Sequence, residues 1–98
     1  MIYALIFEDD EKHASKRPQY MADHMQFLMD NQDSIKAAGP IKDAATSTPA
    51  GGMWLVEADS LGQVQELIEA DPFWAIGLRK TTRLLEWSQV FADGKRLI

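Results

Sequence analysis

Met1-Ile2-Tyr3-Ala4-Leu5-Ile6-Phe7, followed at once by Glu8-Asp9-Asp10-Glu11, opens the chain. A short apolar run rich in Ile, Tyr and Phe that ends in an acidic cluster predicts a strand over residues 2–8. Its side chains alternate, Ile2, Ala4 and Ile6 to one side and Tyr3, Leu5 and Phe7 to the other. Both sets are apolar, so both faces are expected to be covered, one by helices and the other by a second subunit. The run has no basic leader and is too short to span a bilayer, so neither a signal peptide nor a membrane segment is expected, and the location expected is cytoplasmic.

After that strand, Glu8 to Lys16 reads as a polar connection. Tyr20, His24, Phe27, Leu28 and Asn31 then recur along one helical stripe, and Met21, Met25 and Met29 widen its apolar side. The spacing predicts a helix over residues 14–33, with Pro18 in the first turn, where its missing N–H costs little. Residues 35–41 read as a second strand interrupted by Gly39-Pro40, which places it at a sheet edge or a bulge. The turn-rich stretch Thr46 to Gly52 leads to a third strand over residues 53–58, the hairpin partner of the second. Ser60 and Gln63 have the spacing of a capping box, opening a helix whose Leu61, Val64, Leu67 and Ile68 share one face. Pro72 stops that helix at Asp71. Gly77 allows a turn, residues 81–87 make a fourth strand, and Ser88 to Ile98 form a partly apolar tail.

The order β-α-β-β-α-β is that of the split βαβ arrangement. The expected fold class is therefore α+β, a ferredoxin-like sandwich with two helices on one face of an antiparallel sheet, in a single domain over residues 1–98. One sheet face is left bare in a single copy. Exposed apolar faces of several hundred Å² are uncommon on monomers, so a homodimer through the open sheet face is expected.

Ten Lys plus Arg against fifteen Asp plus Glu give the 98-residue chain a net charge of −5. Long-range repulsion then disfavours phosphate polyanions and acidic bilayers, so neither nucleic acid nor membrane is an expected partner. The chain has no cysteine, which excludes disulfides, thiolate zinc sites and Cys nucleophiles. It also lacks a Gly-rich phosphate fingerprint and a His-x-x-x-His pair, and no metal or cofactor is expected.

Among the remaining polar residues His24 stands out, because it interrupts the apolar stripe of the first helix and imidazole changes charge near neutral pH. Two readings compete: a catalytic base, or a histidine hydrogen-bonded to a backbone carbonyl at the helix–sheet seam. Asp71 falls at a helix C-terminus, where the macrodipole disfavours negative charge and the apolar Pro72-Phe73-Trp74 follows. A donor such as His24 would offset this and would itself be oriented; the alternative is a solvated, helix-ending Asp. Gly39 allows close approach by a ligand or an opposing backbone, or marks a bulge. Trp54, Phe73, Trp74 and Trp87 suit either a pocket for an aromatic molecule or the core and interface. Arg17, Arg79 and Arg83 suit a substrate carboxylate or plain solvation, and His13 is read as solvated.

Together, Ile2-Tyr3-Ala4-Leu5-Ile6-Phe7, Arg17-Pro18, the stretch His24 to Leu28, Ala38-Gly39-Pro40 with Asp43, Asp71-Pro72-Phe73 and Gly77-Leu78 resemble the YciI-like (YCII-related) family over nearly the whole chain. The resemblance implies a ferredoxin-like chain that pairs into a dimeric α/β barrel. It also implies a His and Asp site in a cleft, carried by motif onto His24 and Asp71. Some members resemble enzymes of aromatic catabolism, dehydrochlorinases among them, and the fold is shared with muconolactone isomerases. Members often place a His shortly after Arg-Pro, whereas here Tyr20 is nearest and His24 follows, with a slightly short segment from His24 to Gly39. Both departures bear on the register of the second strand and on where His24 lies.

The expected function is a cofactor-independent enzyme of the lyase or isomerase type, moving a proton on a small cyclic or aromatic metabolite. His24 shuttles the proton and Asp71 orients it or acts as second acid/base. Gly39, Pro40, Phe73 and Trp74 bind the small-molecule ligand. The pair is expected at the rim of an apolar hollow formed as two copies close sheet to sheet. The alternative is a non-catalytic dimeric small-molecule-binding or accessory protein.

Overall fold

The computed structural model describes residues 1–98. Strand β1 (Ile2–Asp9) leads through a 3-10 helix (Glu11–Lys16) into helix α1 (Arg17–Asp30). Strands β2 (Ile35–Lys42) and β3 (Pro49–Glu57) form a hairpin, followed by helix α2 (Leu61–Ala70), the short α3 (Pro72–Ala75) and strand β4 (Arg79–Trp87). A two-stranded ribbon, β5 (Phe91–Ala92) and β6 (Lys95–Arg96), ends the chain. The main sheet runs β2-β3-β1-β4 with every neighbour antiparallel. The ferredoxin-like α+β fold expected from the order of elements is the one observed. No helix is long and apolar enough to cross a membrane.

Local chemistry sets the element ends. The expected helix over residues 14–33 divides, because the Asp10 carboxylate accepts the Lys12 N–H at 2.9 Å and starts a 3-10 helix before the α-helix begins. Pro18 sits in the first turn of α1 as its missing donor requires, and Asn31 ends the helix by donating its side-chain amide to Phe27 O at 2.8 Å. Ahead of α2 the Ser60 hydroxyl oxygen accepts the Gln63 N–H at 3.3 Å, while Gln63 Oε1 accepts the Asp59 N–H at 2.9 Å. That is a reciprocal cap displaced by one residue from the usual box. β2 is an edge strand with bulges at Ile35/Ala37 and Pro40/Lys42, so Pro40 withholds no ladder bond from an inner strand.

One sheet face carries the core. Tyr3, Leu5 and Phe7 of β1 pack with Trp54 and Val56 of β3, Phe27 of α1, and Val64 and Ile68 of α2. Phe7 meets Trp54 edge-on at 5.0 Å between ring centroids. The opposite face is the expectation that one chain does not meet. Ile2, Ala4, Ile6, Met53 and Leu55 there are only half-buried, and Leu85 and Trp87 are exposed, because both helices lie on the Tyr3-Leu5-Phe7 side.

Gly51 lies in β3 at φ +100°, and a Cβ there would stand 1.8 Å from Phe7 O. Gly51→Ala combines a left-handed backbone with a main-chain clash, and is expected to cost about 1–3 kcal/mol by urea unfolding; an unchanged midpoint would contradict that geometry.

The β2–β3 connection is tied by Asp43, whose carboxylate accepts the N–H groups of Ala45 at 2.8 Å and Thr46 at 3.1 Å. These backbone donors, Thr46 foremost and then Ala45, hold the Asp43 carboxyl below its ordinary value. A depressed folded-state value means the stabilisation is complete above the unfolded carboxyl range and is lost as pH falls through the folded value. The stability difference between wild type and Asp43→Ala is therefore expected to shrink as pH is lowered below about 4; a constant difference would contradict it.

Candidate active site

Helix α1 presents Arg17, Met21, His24, Met25 and Leu28 along one stripe toward a hollow of about 130 Å³. The spacing of three, four and seven keeps them on one face. Ala38, Gly39 and Pro40 of β2 form a second wall, Gly52 and Trp54 of β3 the floor, and Phe73 and Arg79 the far end. The bulges in β2 do not move His24 out of this space.

Three consecutive residues build the centre. Asp71 ends α2, and Pro72 prevents that helix from continuing. The freed carboxylate caps α3, its Oδ1 accepting the Phe73 N–H at 3.0 Å. The same oxygen accepts His24 Nδ1–H at 2.8 Å, and the Phe73 ring stacks on the imidazole with centroids 4.1 Å apart and planes 13° from parallel. Asp71 thus holds one ring nitrogen while its neighbour plates the ring face. His24 is 7% exposed and Asp71 2%, and a buried carboxylate persists only where donors surround it. His24 Nε2 has no protein partner and is not sealed from solvent, so this nitrogen opens on the hollow that His24 lines.

A charged layer supports this pair. Arg79 Nη2 lies 3.5 Å from Asp71 Oδ2, and Arg79 Nη1 donates to Asp9 Oδ1 at 3.1 Å. Arg17 donates to the other Asp9 oxygen. The Arg79 guanidinium rests 4.4 Å above the Phe7 ring and 5.2 Å from that of Phe73. Gly52 makes room for it, since a Cβ there would come within 3.3 Å of Arg79 Nη1. A register shift between Glu8 and Asp9 re-aims Asp9 at the end of β1.

The structure therefore brings His24, Asp71, Gly39, Pro40 and Phe73 to one place and leaves Trp74 outside it. Trp74 is 39% exposed and takes no part in the lining, because the single turn of α3 turns Phe73 inward and its neighbour outward. Of the other aromatic candidates Trp54 lines the hollow, whereas Trp87 lies exposed on the open face. Arg17 and Arg79 face the hollow and Arg83 does not. The pair forms within one chain on the helix side, so it needs no second copy, contrary to the expectation of a hollow closed sheet to sheet. Sequence reasoning missed Asp9 and read as solvated His13, which is half-buried against Gly77. For Arg79, whose side chain is 4% exposed, it offered a substrate carboxylate or solvation, and the partners are Asp9 and Asp71 of the chain itself.

The YCII-related domain matches residues 1–88 of this chain. YjpA of Bacillus subtilis (strain 168), itself uncharacterized, is 35% identical over 71 residues, covering 70% of this chain and 76% of YjpA. Among solved structures, the 5-chloro-2-hydroxyhydroquinone dehydrochlorinase TftG of Burkholderia phenoliruptrix AC1100, in complex with 2,5-dihydroxybenzoquinone, is 27% identical with a TM-score of 0.78 over 90% of this chain and 94% of that one. An antibiotic biosynthesis monooxygenase-type structure from Bacteroides thetaiotaomicron is 10% identical with a TM-score of 0.55 over 97% and 93% of the two chains, a likeness of fold alone. With a domain match over residues 1–88 and a relative at 35% identity, the chain belongs to the family of the YCII-related domain.

Proposed function

We propose that the protein is a cofactor-independent enzyme that moves a proton on a small cyclic or aromatic molecule, a lyase or an isomerase, with His24 as the base. The observation that carries this is the 2.8 Å bond from His24 Nδ1 to Asp71 with Nε2 left open to the hollow. A neutral imidazole that donates at Nδ1 has its lone pair at Nε2. Asp71 fixes that tautomer and stabilises the imidazolium formed when Nε2 accepts a proton, the role of the orienting carboxylate in a nucleophile–base–acid triad.

The hollow suits one ring. Its 130 Å³ compares with the ~150 Å³ of an apolar cavity that takes up benzene. Trp54 and Phe73 offer apolar walls and Pro40 a rigid edge. Nε2 takes a proton from a ring C–H or O–H, and the electron pair left behind either expels an anionic leaving group or is reprotonated elsewhere on the ring by the same imidazolium. In both cases atoms and electrons balance without an external oxidant. The family relationship and the dehydrochlorinase likeness support this reading.

The test is turnover of a panel of chlorinated hydroxyhydroquinones, phenols and cyclic enols with no added metal or cofactor. Chloride release or ring isomerisation is expected for at least one of them. Binding without turnover, or the absence of both across the panel, would favour the non-catalytic binding or accessory alternative.

The exposed face of Ile6, Met53, Leu55, Leu85 and Trp87 we assign to a second copy, sheet against sheet. Leu85 pairs across from Ala4 at the centre of that face. Leu85→Glu places a charge there and is expected to give a monomer by sedimentation velocity, with the His24–Asp71 site intact; an unshifted dimer would contradict this assignment.

A further inference from the structure

Residues 89–98 lie beyond the stretch matched to the YCII-related domain, yet they are built. Phe91–Ala92 pairs antiparallel with Lys95–Arg96, and Leu97 N–H donates to Val90 O at 2.8 Å. Asp93 and Gly94 close the turn at φ 53° and 73°, the two left-handed positions of a type I′ hairpin. A two-stranded hairpin alone in water is marginal at best, so its apolar side chains need a surface. Their own chain provides little: Phe91 is 63% exposed, Ile98 77%, and Val90 and Leu97 52% each. The radius of gyration, 14.2 Å, exceeds the ~13 Å of a compact domain of this length, as an outstretched segment would make it.

We infer that this C-terminal hairpin is an arm that packs on a second copy of the chain, an inference that rests on the sheet-to-sheet dimer proposed above. The hairpin follows β4, whose exposed Leu85 and Trp87 belong to the open face, so a copy seated on that face stands beside the arm. Charge agrees. The arm carries Lys95 and Arg96 against the single acid Asp93, in a chain whose net charge is −5, so an acidic second copy is its electrostatic complement. A two-fold pair gives each copy one arm and one arm-binding surface, which closes the assembly.

The test uses the full chain. Dimer dissociation is measured by analytical ultracentrifugation for wild type, Phe91→Glu and Ile98→Glu, and contacts between copies by isotope-filtered NOE on a mixture of labelled and unlabelled chains. The arm predicts at least a tenfold rise in dimer Kd for each variant, and NOEs from the Phe91 ring to the other copy. Both side chains are exposed, and Ile98, at 77%, touches its own chain least, so its variant keeps the fold even if the Phe91 variant does not. A wild-type dimer whose Kd neither variant changes, with hairpin NOEs only within one copy, would overturn the arm and leave the sheet interface standing. A wild type that remains monomeric at all concentrations would overturn the sheet interface and the arm with it.

Discussion

His24→Ala is expected to leave a folded protein whose kcat on a turned-over ring substrate falls by about 10²–10⁴, the range that a positioned general base supplies. KM should move little, because Trp54, Phe73 and Pro40 remain in place around the hollow. Stability should fall modestly. Asp71 keeps the Phe73 N–H at 3.0 Å and Arg79 at 3.5 Å, so the carboxylate is not stranded, and the lost hydrogen bond is worth about 1–3 kcal/mol. The truncation opens space beside Phe73, so added imidazole should restore part of the rate. A His24→Ala variant within tenfold of wild type would remove the base from the mechanism.

Asp71 produces the largest expected effect on folding. One buried carboxylate takes the His24 Nδ1–H, the Phe73 N–H and the Arg79 charge. Asp71→Ala removes all three acceptor roles at once and leaves the nearly buried Arg79 with only Asp9 as counter-charge. Breaking a buried pair by deleting one partner costs about 3–5 kcal/mol, and each kcal/mol lowers the melting temperature of a chain this size by roughly 4–8 °C. Asp71→Asn is the milder change. Its carbonyl still accepts from Phe73, while its amide group faces Arg79 without charge, so about 1–3 kcal/mol is expected together with loss of turnover. If calorimetry gave both variants wild-type melting temperatures, Asp71 would not be the keystone described here.

Much of this was legible one residue at a time. Strand alternation in Ile2 to Phe7, the helical stripe through His24 and the capping pair at Ser60 and Gln63 each depend on neighbours within a turn or two. Asp71-Pro72-Phe73 was legible for the same reason: proline ends the helix, and a helix-ending carboxylate needs a donor. Residues whose meaning depends on distant partners were not. Arg79 is buried because Asp9, 70 positions away, crosses from the adjacent strand, and no periodicity marks a buried arginine. Trp74 was assigned to the pocket by composition, yet the direction of its side chain depends on the register of a single helical turn. The terminal hairpin had a usable local signal, Asp93-Gly94 between apolar residues, which the reading of a partly apolar tail passed over. The second sheet face stays open in one chain, and no local pattern says what would cover it.

The ring nitrogens of His24 can be observed by long-range proton–nitrogen correlation NMR. The site described here requires the proton on Nδ1, shared with Asp71, and a bare Nε2 whose resonance shifts when 2,5-dihydroxybenzoquinone or another bound ring fills the hollow. A proton on Nε2 with Nδ1 bare, or an Nε2 resonance unmoved while the ligand is bound, would contradict a base that faces its substrate.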